Sequence, residues 1–128
     1  MRLIIAGSRS IVDQATVDAA LAAALPGWGG TLALDEVVSG GAPGVDQLGE
    51  AWARRHGLEV VRFPAEWKGF RNRSDGVRRN EEMVRYAAQR GGVLVAIWDG
   101  VSSDTRHIIR AAERAGLGVH VHRVGVGR

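Results

Sequence analysis

The chain has no cysteine in its 128 residues, which excludes disulfides and thiolate metal sites at the outset. Lysine is nearly absent too: Lys68 is the only one, so the formal charge of +3 rests almost wholly on arginine. Long apolar runs are missing as well. The N-terminal hydrophobic stretch begins at Leu3 and reaches polar residues by Ser8, too short for a signal peptide or a membrane span. The expectation is therefore a cytoplasmic protein with no membrane partner. No internal repeat or low-complexity stretch is visible. The basic residues are interspersed with acids rather than gathered in a block, which speaks against nucleic acid as a partner. Arginine suits bidentate contacts to phosphate or carboxylate, although an arginine-rich genome would produce the same bias.

What is present is enough for one globular domain over residues 1–128, with an ordinary hydrophobic content of 45%. Arg2–Ala6 reads as a continuous apolar run, the pattern of a central parallel strand covered on both faces. Asp13 is a good N-cap for a helix through about Leu25, and Trp28–Leu34 reads as a loop. Glu36–Ser39 predicts a second strand. After it comes a glycine turn and a helix opening at Pro43, with Val45, Leu48, Gly49, Trp52 and Ala53 on its inner face. A third strand is expected at Glu59–Phe63, followed by a polar loop from Pro64 to Ser74. The spacing then predicts a helix from about Gly76 to Arg90, a strand at Val93–Trp98, a helix over roughly Thr105–Ala115 and a strand near Gly118–Arg123. The fourth helix should turn Ile108, Ala111, Ala112 and Ala115 inward. Alternation of this kind implies an α/β fold: a three-layer, Rossmann-like, doubly wound parallel sheet of five strands, in the expected order 3-2-1-4-5. Ligands of such sheets sit beyond the C-terminal strand ends, where the strand order reverses.

Three polar turns fall at those ends and should share one cleft: Gly7-Ser8-Arg9, Ser39 to Asp46, and Asp99 to Thr105. Gly40 and Gly41 can offer backbone N–H groups to a ligand, and a helix N-terminus follows them. Asp46, in the first turn of that helix, would repel a phosphate placed directly there. Its carboxylate fits better as an acceptor of ribose hydroxyls or as a fastener of the loop. Stepping back four residues from the inward Met83 and Val84 gives Arg79 and Asn80, so both polar side chains point inward. A buried arginine needs a partner, which Asp46, Asp99 or a ligand would supply. In the fourth-strand turn, Asp99, Gly100, Ser102, Ser103 and Thr105 offer polar groups, and Ser103 or Asp104 can cap the helix. His107 falls on the rim of that helix's inner face, where histidine is more often structural than catalytic. His120 and His122 alternate on one strand face and read as a solvent-facing pair, with no third ligand for a metal. Trp67 and Phe70 could stack on a base or pack over the sheet edge.

Taken together, five pieces resemble the SLOG (SMF/DprA/LOG) superfamily, and within it the small bacterial and phage branch of YspA or YpsA-related proteins. They are Gly7-Ser8-Arg9; Ser39-Gly-Gly-Ala-Pro-Gly-Val-Asp46; Phe63-Pro-Ala-Glu-Trp67; Arg79-Asn80 with Met83; and Trp98-Asp-Gly100 through Thr105-Arg-His107. The resemblance implies a cleft for nucleotides or nucleotide-derived ligands. Its ligand-binding residues would be Gly7, Ser8, Arg9, Ser39, Gly40, Gly41, Asp46, Arg79, Asn80, Asp99, Gly100, Ser103 and Thr105. It also implies a homodimer, which the residues do not address; no cofactor and no metal are expected. Two departures bear on chemistry. Phosphoribohydrolase members carry a Pro-Gly-Gly-x-Gly-Thr loop and then a catalytic glutamate. Here His107 stands in that glutamate's place, and Asp104 replaces a glycine of the phosphate loop. Asp75 likewise stands where relatives have a small residue. The expectation is a binding module for a nucleotide or its derivative, with a sensor or accessory role. The first alternative is an N-glycosidic hydrolase or transferase acting on a nucleoside monophosphate, with Arg79, Asp46, Asp99 and His107 as candidate catalytic residues. A weaker alternative is DprA-like binding of single-stranded nucleic acid.

Overall fold

The computed structural model describes residues 1–63 and 73–125, with the side chains of residues 73–75 left aside. Its strands are β1 (Arg2–Gly7), β2 (Glu36–Ser39), β3 (Glu59–Arg62), β4 (Val93–Trp98) and β5 (Gly118–Arg123). Its helices are α1 (Gln14–Ala24), α2 (Val45–Arg55), α3 (Arg73–Ala88) and α4 (Ser103–Arg114). The strands form one parallel sheet in the order β3-β2-β1-β4-β5, as the alternation of the sequence implied.

Because successive residues of a strand point to opposite faces, the uninterrupted apolar runs feed two cores at once. Leu3 and Ile5 of β1 join Val93, Val95 and Ile97 of β4 beneath α1 and α2, against Val17, Leu21, Val45 and Trp52. Ile4 and Ala6 join Leu94 and Ala96 on the other face, beneath α3 and α4, against Met83, Val84, Ala87, Ile108 and Ala112. A fully buried aliphatic side chain of this kind contributes roughly 1.5–3 kcal/mol. The two central strands therefore hold the sheet rigid at the place where its order reverses.

The first helix starts where its cap predicts: Asp13 accepts a hydrogen bond from the Ala15 amide at 3.3 Å. The segment read as a loop contains a short 3-10 turn, Thr31–Ala33, and a second one, Leu25–Trp28, leads into it from the end of α1. Four further expectations are corrected. The second helix begins at Val45 and not at Pro43, with Gly44 at the N-cap and φ of 85°. There the backbone crowds Arg9 and Ser8: an added Cβ would stand 2.6 Å from the Arg9 Cα. Helix α3 begins at Arg73, one turn before the Gly76 break, and ends at Ala88. Helix α4 begins at Ser103, and Ile109, not Ala115, completes its buried face. His120 and His122 are half-buried rather than solvent-facing, on the side of β5 that continues from the half-buried Gly118. Trp67, Phe70 and most of the Phe63–Trp67 stretch lie outside the described residues, as does the Asp75 side chain. Among the described residues no helix is long and apolar enough to cross a membrane.

Candidate functional site

Strand order reverses between β1 and β4, and the C-terminal ends of those two strands open into a cavity of about 290 Å³. Ala6 and Gly7 form its floor, Ala42 and Asp46 one wall, Arg79, Asn80 and Met83 a second, and the segment from Asp99 to Thr105 a third. Arg9 stands exposed at its mouth.

Asp46 is 6% exposed. Its carboxylate accepts a hydrogen bond from the Ala42 amide at 3.2 Å, which ties the glycine turn to the first turn of α2. Burial dominates its titration and pushes it up to about 6, against the opposing pull of the Ala42 amide and the Arg79 charge; the Glu50 charge pushes the same way as burial. Arg79 reaches over from α3. Its Nε donates to the Asn80 side-chain oxygen at 3.1 Å and its Nη1 to the Gly40 carbonyl at 3.3 Å. Gly40 is what lets the two charged groups close up: an added Cβ would lie 2.6 Å from Arg79 Nη1 and 2.8 Å from Asp46 Oδ2. The partner expected for the inward arginine is thus a composite of the neighbouring asparagine, a backbone carbonyl and the Asp46 field.

Asn80, 3% exposed, braces the far wall. Its amide nitrogen donates to the Asp104 carbonyl at 3.3 Å and lies 3.2 Å from His107 Nδ1, which accepts when that nitrogen carries no proton. Asp99 shapes the third wall. Its carboxylate accepts from the Ser102 and Val101 amides at 2.9 and 2.8 Å, and these contacts hold it below the usual carboxylate range. The expected caps, Ser103 and Asp104, instead sit in the first turn of α4, and Ser102 at the N-cap makes no side-chain capping bond. The amides that Asp99 binds precede the helix, so its contacts close the turn before α4 and do not cap it.

A chain with these features can be compared with known proteins. A family model described as YspA, cpYpsA-related SLOG family matches residues 1–70. The chain belongs to this family. The Gene 61 protein of Mycobacterium phage D29 is 40% identical over 125 residues, covering 92% of this chain and 93% of that protein. No solved structure matches at a significant level. Membership carries a nucleotide-related role on a Rossmann-like domain.

In this SLOG domain the cavity gathers eight of the residues singled out in the sequence: Gly7, Arg9, Asp46, Arg79, Asn80, Asp99, Ser103 and Thr105. Five others serve the scaffold. Ser8 is buried, and its hydroxyl accepts from the Asp99 amide at 3.0 Å, pinning the β1 turn to the β4 turn. Ser39 and Gly41 turn away from the cavity, and the Gly41 amide donates to Ser39 Oγ at 3.1 Å, so it is not offered to a ligand. Gly40 serves close packing, as above. Gly100 lies against the Arg123 guanidinium, whose Nη2 an added Cβ would approach to 2.3 Å. His107, one of the candidate catalytic residues, is outside the lining and meets the cavity only through Asn80.

Sequence reasoning missed one buried acid. Glu50 is 1% exposed and lies one turn after Asp46 on α2. Ser39 Oγ donates to its Oε2 at 2.6 Å, Arg62 Nε donates to the same oxygen at 2.9 Å, and Arg62 Nη2 donates to Oε1. Burial pushes its carboxyl up, but the Arg62 and Ser39 hydrogen bonds and the Arg62 and Arg54 charges outweigh that and hold it below its ordinary value. The signal was in the spacing: Asp46, Glu50 and Ala53 fall at i, i+4 and i+7 beside the apolar stripe. Among the described residues no cluster of three or more His, Cys, Asp or Glu side chains could hold a metal.

Proposed function

We propose that this domain binds a nucleotide or a nucleotide-derived small ligand in the cleft between β1 and β4, in a sensor or accessory role. The observation that carries this reading is the approach of Arg79 and Asp46, one from each of two walls, to Gly40 at the reversal point of the sheet. The pair offers an anion-binding guanidinium beside an acid able to hold sugar hydroxyls. The remaining lining fits the same division. Arg9 is a second cation at the mouth, while Asp99, Ser103 and Thr105 add acceptors and hydroxyls on the opposite wall. Acids in the first turns of both α2 and α4, Asp46 and Asp104, offset the helix dipoles that face the cavity. Any phosphate therefore depends on the arginines.

The test is a thermal-shift panel of nucleotides and ADP-ribose derivatives, followed by calorimetry on any member that raises the melting point. At least one member should do so, and Arg79→Ala should weaken it by roughly tenfold or more, the loss of a charge-assisted contact. A panel in which no member shifts the melting point would remove the reading's main support.

A second reading, N-glycosidic cleavage of a nucleoside monophosphate, has one observation in its favour. Two carboxyls of the cleft are driven apart: Asp46 is pushed up to about 6 and Asp99 is held low. Such a split is what a proton donor and an ionised partner require. Release of free base from AMP, followed by chromatography and lost in Asp46→Asn, would favour it over binding alone.

A further inference from the structure

We propose that Glu50, which does not line the cleft, is its positioning residue: it anchors the turn that carries Gly40 and Gly41 and holds Asp46 under a like charge from one helical turn away. The inference rests on the reading of this cleft as the ligand site, although its test needs no ligand.

The geometry runs in two directions from the one carboxylate. Toward the turn, Ser39 Oγ donates to Glu50 at 2.6 Å while the same oxygen accepts the Gly41 amide at 3.1 Å. Arg62 closes this arm from β3. Its guanidinium is bound to Glu50 through Nε and Nη2, and its Cδ lies close to where a Gly41 side chain would begin, 2.9 Å from an added Cβ. The glycine turn is therefore clamped from behind, with Gly40 presented to Arg79 and Asp46. Along α2, Glu50 and Asp46 are four residues apart, the spacing that stacks side chains on one face. The groups that face Asp46 are Arg79 from α3, Glu50 on its own helix, and the amides of Ala42 and Gly7. Glu50 in turn faces Arg62 from β3 and Arg54 on α2. Neutralising Glu50 therefore leaves Asp46 more readily ionised, whereas removing Arg62 exposes the Glu50 charge and opposes that ionisation.

The experiment is a carbon-detected NMR titration of the Asp46 carboxyl in the wild type, Glu50→Gln and Arg62→Gln, with amide exchange of Gly41 recorded on the same samples. Glutamine keeps the shape of Glu50 and one acceptor oxygen, which can still serve Ser39 Oγ and Arg62 Nε, but it removes the charge together with the acceptor that Arg62 Nη2 uses. The Asp46 midpoint should fall by roughly half a unit or more in Glu50→Gln, the effect of removing a like charge one helical turn away whose field Arg62 and Arg54 already partly cancel. In Arg62→Gln it should rise, and Gly41 exchange should quicken. A residue that merely filled space would leave the Asp46 midpoint where it was. Arg62 is half-exposed, so its variant still tests the proposal if Glu50→Gln fails to fold. An unchanged midpoint, or a rise in Glu50→Gln, would overturn the proposal.

Discussion

Asp46 and Glu50 share a helix, a chemical group and a degree of burial, at 6% and 1% exposure, yet their surroundings oppose each other. Glu50 faces a guanidinium that binds both its oxygens and a serine hydroxyl that takes one of them. Those contacts make the buried charge cheaper than the buried acid, so it stays ionised. Asp46 has the Ala42 amide at 3.2 Å, a smaller contribution from the Gly7 amide, and an arginine whose hydrogen bonds go elsewhere. Its charge is incompletely compensated, and burial prevails. The lesson is that burial alone does not set the role of an acid. The completed partner set makes Glu50 a fastener, while the incomplete one leaves Asp46 facing a cavity with capacity still unused.

Four measurements would break or sharpen that contrast. Glu50→Ala should be the most damaging, removing the partner of Ser39 and Arg62 and opening a void. A loss of about 2–3 kcal/mol is expected, kept below the range for fully buried pairs because Arg62 is half in water; urea unfolding at pH 7 reads it. An equal loss in Asp46→Ala would erase the distinction.

Next in size is the pH dependence. The folded pKa of Asp46, about 6, lies above its ordinary 3.8, so the folded chain keeps a proton that the unfolded chain has released. Its contribution is complete below pH 3.8 and is lost as pH rises through about 6. Glu50 works in reverse: its folded value lies below the ordinary 4.5, so its contribution is present above that pH and is lost as pH falls through the lowered value. Asp46→Asn should flatten the decline between pH 4 and 7 and gain about 1–2 kcal/mol over the wild type at the upper end. Urea midpoints across that range would show a parallel curve if Asp46 were paired as Glu50 is.

Gly40→Ala should cost about 1–2 kcal/mol by forcing Arg79 and Asp46 apart, with a matching weakening of any cleft ligand found by thermal shift. Gly57, where an added Cβ meets nothing, has φ of 69° and provides the contrast of strain without crowding. The smallest effect belongs to Asp99→Ala. It frees the Val101 and Ser102 amides and should lower stability by about 1 kcal/mol in the same unfolding assay.

Much of the fold was legible because its signals are local. Continuous apolar runs at Leu3–Ala6 and Val93–Ile97 can only be central strands covered twice, and the alternation of strands with helices fixed their parallel order. The Asp13 cap and the inner face of α2 were equally plain. Boundaries were less so: α3 runs through Gly76 because the helix there is continuous with the wall that holds Arg79, a tertiary preference that outweighs a single glycine. In the site, spacing alone aimed Arg79 and Asn80 inward and put Asp46 at a helix start.

The sequence by itself thus determined the sheet, the family and the three turns that meet at its end, since each depends on periodicity or on residues close along the chain. Tertiary structure alone decided what those residues do for one another. Ser39 and Gly41 serve a clamp, Ser8 pins two turns, Asp99 closes the turn that leads into α4, and Glu50 is matched with an arginine 12 residues away. A carboxylate's charge state is fixed by which donors reach it and by how much water is excluded. Both are properties of packing, invisible until distant segments are brought together.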